Sequence, residues 1–213
     1  MNAAVFLALY AGHAIGDFPL QFDKIFAWKV RSLAGVAAHA AICGAASLAF
    51  AIPILNLEIA VAVAGVVLAH IAIDQAKVAA ERRGVGGPWS FVADQVLHLA
   101  TVAAPALLIA SPPLPAWLAH AYAIMIAVVL AAYGGRLLTY VTERSIRDSE
   151  AVAARTERKE FLRRGAIAGL AAAGGWAWLG LPLMVLLAWR AERRWWGVVG
   201  SACIGLWAYA WVL

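Results

Sequence analysis

Five runs of about 20 predominantly apolar residues follow one another in this chain, each long enough to cross a lipid bilayer as a helix. They are Ala3–Phe22, Leu33–Ile52, Ile54–Ala76, Ser90–Ala110 and Ala116–Leu138. Such runs leave little choice of fold, because in lipid a helix satisfies its backbone polar groups within one segment. Composition agrees: of 213 residues, 64% are hydrophobic and 14% charged, whereas a soluble domain carries about 25% charged residues. A soluble domain of this size has too little interior to hide so much apolar surface. Disordered chains, coiled coils and disulfide-built secreted modules are excluded on the same grounds. The expectation is an all-α polytopic membrane bundle of six or seven transmembrane helices.

The connections set its orientation. Pro53 and the stretch Ser111-Pro112-Pro113-Leu114-Pro115 make short, uncharged turns, where proline breaks the helix. The alternate connections are basic: Lys24, Lys29 and Arg31, then Lys77, Arg82 and Arg83, then the stretch from Arg136 to Arg164. By the positive-inside bias these face the cytoplasm and the N-terminus lies outside, which predicts a multi-pass membrane protein. The net charge of +5 is explained by these loops, so no nucleic-acid partner is expected. The first run has no basic region before it and contains His13 and Asp17, and so reads as a retained helix, not a cleaved signal peptide.

Three parts are expected: a five-helix core over 1–138 carrying the site, a charged cytoplasmic or interfacial helix over 139–165, and membrane segments over 166–213. Within the last, Ala166–Ala188 and Trp195–Leu213 are each long enough to span. Arg190, Arg193 and Arg194 between them conflict with seven simple crossings, so Ala166–Ala188 is either re-entrant or a local exception to the charge rule.

Function is carried by the exceptions to apolarity. The first helix holds His13 and Asp17, the second His39, the third His70 and Asp74, the fourth Asp94 and His98. Three of the four carry His and Asp four residues apart, hence on one helix face. Imidazole and carboxylate are the usual nitrogen and oxygen ligands of zinc, manganese or iron. At about 1.5 Å rise per residue, all seven fall within about 5–16 Å of the basic ends of their helices. Scattered core histidines have no reason to share one depth in helices of alternating direction. The sequence places no basic residue inside these spans at that depth, and three bare carboxylates in lipid are costly unless protonated or bound to a cation. A proton or ion relay and a structural polar network are the competing readings.

Other groups frame the cluster. Gln21 continues the first-helix stripe and can bond a ligand or a substrate oxygen. Lys77, with Arg82 and Arg83, can hold an anionic group such as a lipid phosphate at the cytoplasmic mouth; equally, these residues anchor a helix end. Gln75 and Gln95 point about 100° from their Asp neighbours and read as outer-shell or packing groups. Cys43 lies one turn past His39 and is at most an extra ligand; Cys203 reads as packing. His120, beyond the Pro-rich turn, is expected at the interface, away from the cluster.

The runs His13-Ala-Ile-Gly-Asp17-Phe18-Pro-Leu-Gln21, His70-Ile-Ala-Ile-Asp74-Gln75-Ala-Lys77 and Asp94-Gln95-Val-Leu-His98 resemble the signature of a bacterial inner-membrane family of unknown function with phage members. The resemblance covers roughly the first 110 residues. The pattern is also loosely similar to membrane-bound metal-dependent hydrolases, and in its spacing to the all-helical zinc phospholipases C.

The function expected from these residues is metal-dependent hydrolysis of a lipid or lipid-linked (phospho)ester. The metal ligands are His13, Asp17, His39, His70, Asp74, Asp94 and His98, with Asp17 or Asp74 as catalytic base and Gln21, Lys77, Arg82 and Arg83 toward the substrate. Seven ligands exceed the three or four of one catalytic zinc, so one or two ions are both compatible. The alternative is a divalent-metal or proton-coupled transporter using the same residues. A bis-histidine haem protein does not call for Asp four residues from His.

Overall fold

The computed structural model describes residues 1–134, 137, 158–174 and 195–210. Every regular element among them is helical. In chain order they are α1 (Ala3–Asp17), α2 (Asp23–Lys29), α3 (Leu33–Ala51) with a 3-10 turn at Ile52–Ile54, α4 (Leu57–Arg82), α5 (Pro88–Leu108), α6 (Ala116–Val129) with a π-helical turn at Leu130–Gly134, α7 (Arg158–Ala173) and α8 (Trp195–Tyr209). Four of these segments are long and apolar enough to cross a membrane: Leu33–Ile54, Leu57–Arg82, Pro88–Leu108 and Ala116–Gly134. They carry large apolar side chains outward, Leu68, Leu107, Leu108 and Trp117 among them. Such surface is unfavourable in water and compatible with lipid.

Local chemistry explains the helix ends. The side chains of Asn2, Ser32 and Asn56 accept from the backbone N–H of Val5, Gly35 and Ile59, capping α1, α3 and α4. Pro88 opens α5, where its missing N–H costs nothing. The first apolar run was expected to stay helical to Phe22, but α1 stops at Asp17. Pro19 follows Phe18, and its missing N–H and its ring, which would meet the carbonyl of Ile15, end the helical ladder there. At 15 residues, α1 is about 22 Å long, shorter than the hydrocarbon core. The basic connection after it is not a plain loop: it forms α2, with Phe22, Phe26 and Trp28 exposed and Lys29 buried.

The chain divides into two compact units, Met1–Leu114 and Pro115–Leu213. In the first, α1 packs on α3 and α5, and α4 on α3 and α5, while α2 lies against α3. Contact between α1 and α3 is close: a Cβ on Gly12 would overlap the backbone of Ala46 and Ser47, and one on Gly16 the Cα of Cys43. Gly12 and Gly16 are four apart, the small-residue spacing that lets helix backbones meet in membranes. On α4 the buried residues Ile59, Val63, Val66, His70, Asp74 and Val78 make one stripe, as do Phe91, Asp94, His98, Val102 and Ala106 on α5. The remaining faces of both helices are largely exposed and apolar.

In the second unit α7 runs unbroken from Arg158 to Ala173, joining charged and apolar sequence in one helix. Gly205 of α8 lies against Ala168 and Ala171 of α7. The expected helix before Arg158, most of the expected re-entrant segment Ala166–Ala188, and Arg190, Arg193 and Arg194 lie outside the described residues.

Candidate metal centre

The stripes on α4 and α5 carry the polar groups inward, and the glycine contact brings α1 and α3 against them. His13, Asp17, His39, His70, Asp74, Asp94 and His98 are all buried, none more than 6% exposed. The four imidazoles form one group: ring centroids are 5.1 Å apart for His13 and His70, 5.4 Å for His13 and His98, 5.0 Å for His39 and His70, and 4.3 Å for His70 and His98.

Around them the carboxylates make specific contacts. His39 Nε2 donates to Asp17 Oδ1 at 3.1 Å. His70 Nε2 stands 3.0 Å from Asp74 Oδ2, and His39 Nε2 is 3.9 Å from the same oxygen. The His98 Nδ1–H donates to the backbone oxygen of Asp94 at 2.9 Å, which fixes the ring and leaves Nε2 facing inward. Gln95 Nε2 donates to Asp94 Oδ2 at 3.1 Å and to Asp17 Oδ2 at 3.4 Å. Gln95 therefore joins two of the aspartates, more than its angular offset from Asp94 suggests.

Although no basic residue lies inside the apolar runs at this depth, two lysines from outside them reach the constellation. Lys29 Nζ is 2.7 Å from Asp74 Oδ2, and Lys77 Nζ is 2.9 Å from Asp94 Oδ2. Lys77 reaches back from the turn after Asp74. Lys29 comes from outside the apolar runs: the chain leaves α1 at Pro19, and α2 then returns its last residue to the bundle. Gly35 permits this, since a Cβ there would collide with the backbone of Trp28 and Lys29. A glycine in the first turn of α3 was the available signal. Nothing in the α2 sequence itself separates Lys29 from the exposed Lys24.

The framing residues are tied to neighbours within the chain. Gln21 Oε1 accepts from Lys29 Nζ at 3.0 Å. Arg82 Nη2 donates to the Val30 oxygen at 2.7 Å, and Arg83 is exposed beside it. Cys43 is closer to the centre than its sequence position implied, buried, with Sγ 3.9 Å from His39 Nε2. His120 belongs to the second unit, where Nε2 donates to the Ala173 oxygen at 3.3 Å.

Many inward-facing atoms nevertheless lack an aligned partner. Nε2 of His13, both ring nitrogens of His70, Nε2 of His98, both oxygens of Asp74 and Oδ1 of Asp94 are buried without a hydrogen bond. The contacts of Asp74 to Lys29 and His70 are short enough for ion pairing but are not directed as hydrogen bonds. Among the described residues, three donor sets could hold a metal ion, each with one donor atom per residue and all donors within 4.8 Å of one another: His13, His70 and His98; Asp17, His39, Cys43 and His70; and Asp74, Asp94 and His98. Lysines already stand against both carboxylates of the third set.

Fold and site together define a class: an α-helical protein with membrane-length helices and a buried His/Asp cluster able to hold metal. Residues 5–133, more than half of the chain, match the family model described as "Protein of unknown function (DUF3307)", and the chain belongs to that family. The match includes all seven His and Asp residues, Cys43 and both lysines. No curated protein and no solved structure matches the chain.

Proposed function

We propose that this protein is a multi-pass inner-membrane, metal-dependent hydrolase whose site lies toward the cytoplasmic leaflet and acts on a lipid or lipid-linked ester or phosphoester. The observation that carries this reading is the trio His13, His70 and His98: each has a buried Nε2 that makes no hydrogen bond, and the three offer nitrogens within 4.8 Å of one another. Buried polar atoms are rarely left so, and three histidines with an open fourth position make a catalytic zinc site. Zinc suits the donors best, with manganese or iron next. The charge count supports a cation as well. Among the described residues, the lysines facing Asp17, Asp74 and Asp94 are Lys29 and Lys77, so with neutral imidazoles one negative charge remains unbalanced within this set.

A bound divalent ion supplies a nucleophilic water near neutral pH and polarises the substrate oxygen. The chain supplies the rest. Asp17, held by His39 and Gln95, or Asp74 accepts the proton of the attacking water and returns it to the leaving oxygen. Lys77, Arg82 and Arg83 stand at the C-terminal end of α4, toward an anionic headgroup. The exposed Phe22, Phe26, Trp28 and Trp89 gather at the same end, as aromatic side chains do at a membrane interface.

Away from the cluster, α1 buries Phe6, Leu7 and Leu9, and α4 buries Ile59, Val63 and Val66. A transporter needs polar groups to continue along its path, which favours hydrolysis over transport. The test is elemental analysis of protein purified without chelators, followed by incubation with radiolabelled bacterial phospholipids. Bound metal and chelator-sensitive release of a water-soluble headgroup are expected. Metal-free protein overturns the reading, and zinc flux in proteoliposomes that is lost in Asp17→Asn replaces it with transport.

A further inference from the structure

We infer that the cluster holds a second ion, bound by Asp17, His39, Cys43 and His70, so that the site is dinuclear with His70 shared. The inference rests on the tri-histidine reading only through that shared residue. Donors about 2.0–2.3 Å from a tetrahedral ion stand roughly 3.3–3.8 Å from each other. Asp17 Oδ1 to His39 Nε2 is 3.1 Å, and Cys43 Sγ to His39 Nε2 is 3.9 Å, bracketing that spacing. The fourth donor is His70, which lies within 4.8 Å of the other three. Both its ring nitrogens are buried without a hydrogen bond, Nε2 standing 3.0 Å from Asp74 Oδ2; on losing its remaining N–H proton by way of that carboxylate to solvent, the ring becomes an imidazolate that offers one nitrogen to each ion. The scaffold is rigid: Gly16 sits against Cys43, which locks Asp17 of α1 beside His39 and Cys43 of α3.

The two donor sets differ in kind. Three histidines leave a position open for water, whereas Asp, Cys and two His close a tetrahedron, as in structural zinc sites. One carboxylate and one thiolate neutralise a divalent ion, which removes most of the cost of burying it. The thiolate selects a soft or borderline cation, zinc over magnesium or manganese. The second ion thus fixes α1 to α3 and orients His70 for the catalytic ion, and with Asp17 taken as a ligand the proton-accepting carboxylate is Asp74.

The experiment loads the full-length protein in detergent micelles with zinc, and in parallel with cobalt(II), and counts ions per chain. Two ions per chain are expected, with a sulfur-to-cobalt charge-transfer band in the near ultraviolet. Cys43→Ser should lose the band and one ion, and His98→Ala should keep the band. A Cys43→Ser protein that fails to fold is replaced by Asp17→Asn, which should also fall from two ions to one. One ion per chain with no band overturns the dinuclear site and leaves the tri-histidine reading standing. Two ions indifferent to Cys43 and Asp17 also overturn it. Zero ions remove both.

Discussion

The ammonium of Lys29 lies 2.7 Å from Oδ2 of Asp74, although Asp74 belongs to a membrane-length helix and Lys29 to the short helix between two others. The pair is almost fully buried, with side-chain exposures of 9% and 1%. Removing one partner of a buried pair strands the other charge, at a cost of about 3–5 kcal/mol. Lys29→Met should therefore lower stability by about that amount in thermal unfolding in detergent micelles. Adding Asp74→Asn should recover most of the loss, because the stranded charge goes with it. Strictly additive losses would mean that the two groups do not interact.

The approach of α1 to α3 depends on Gly12, whose Cβ position is occupied by the backbone of α3. Gly12→Val should destabilise by at least the roughly 1–3 kcal/mol typical of overpacking. Gly65, in the middle of α4 with nothing within 4 Å of its Cβ position, is the control. There Gly65→Ala should be neutral or stabilising by up to about 1 kcal/mol. Equal melting of Gly12→Val and the parent protein would contradict the close contact.

His98 and His120 separate ligation from simple histidine content. His98→Ala should weaken metal binding at least 100-fold, roughly the upper end of the loss seen for outer-shell partners alone. His120→Ala should leave affinity unchanged, since its Nε2 is directed at the Ala173 carbonyl oxygen. Isothermal titration with zinc reads both, and equal effects would detach metal binding from the α1, α4 and α5 histidines.

Orientation is open to labelling. In a Cys203→Ser background Cys43 is buried and silent, so a cysteine introduced at Arg83 or at Ser111 reports alone. A membrane-impermeant maleimide should label Arg83→Cys only from the cytoplasmic side and Ser111→Cys only from outside, in keeping with the basic loops. The reverse pattern would place the cluster in the outer leaflet.

The Lys29→Met test also marks what could and could not be read from residue order. The four histidines and three aspartates were legible as one group, because spacing of four puts His and Asp on one helical face and the charged loops give their depth. Cys43 was legible only as a neighbour of His39. Whether it enters the cluster depends on the angle and closeness of α1, which Gly12 and Gly16 decide. The helix α2 and the insertion of Lys29 were not legible, since a basic residue after an apolar run looks the same whether it faces solvent or folds back.

Sequence by itself determined that the described residues are helical, that several of the helices are of membrane length, and that ionisable groups recur at one level within the first four apolar runs. Those properties follow from periodicity and from the cost of polar groups in an apolar medium, both of which are local. Only the tertiary structure decided which donors meet, because ligand sets are made between helices, by rotation and close approach that no single helix encodes. It assigned His13, His70 and His98 to one set, placed Cys43 beside Asp17 and His39, and set Lys29 and Lys77 against the other two aspartates. A buried carboxylate takes whichever cation geometry brings within a few ångströms, and here two of the three are brought an ammonium.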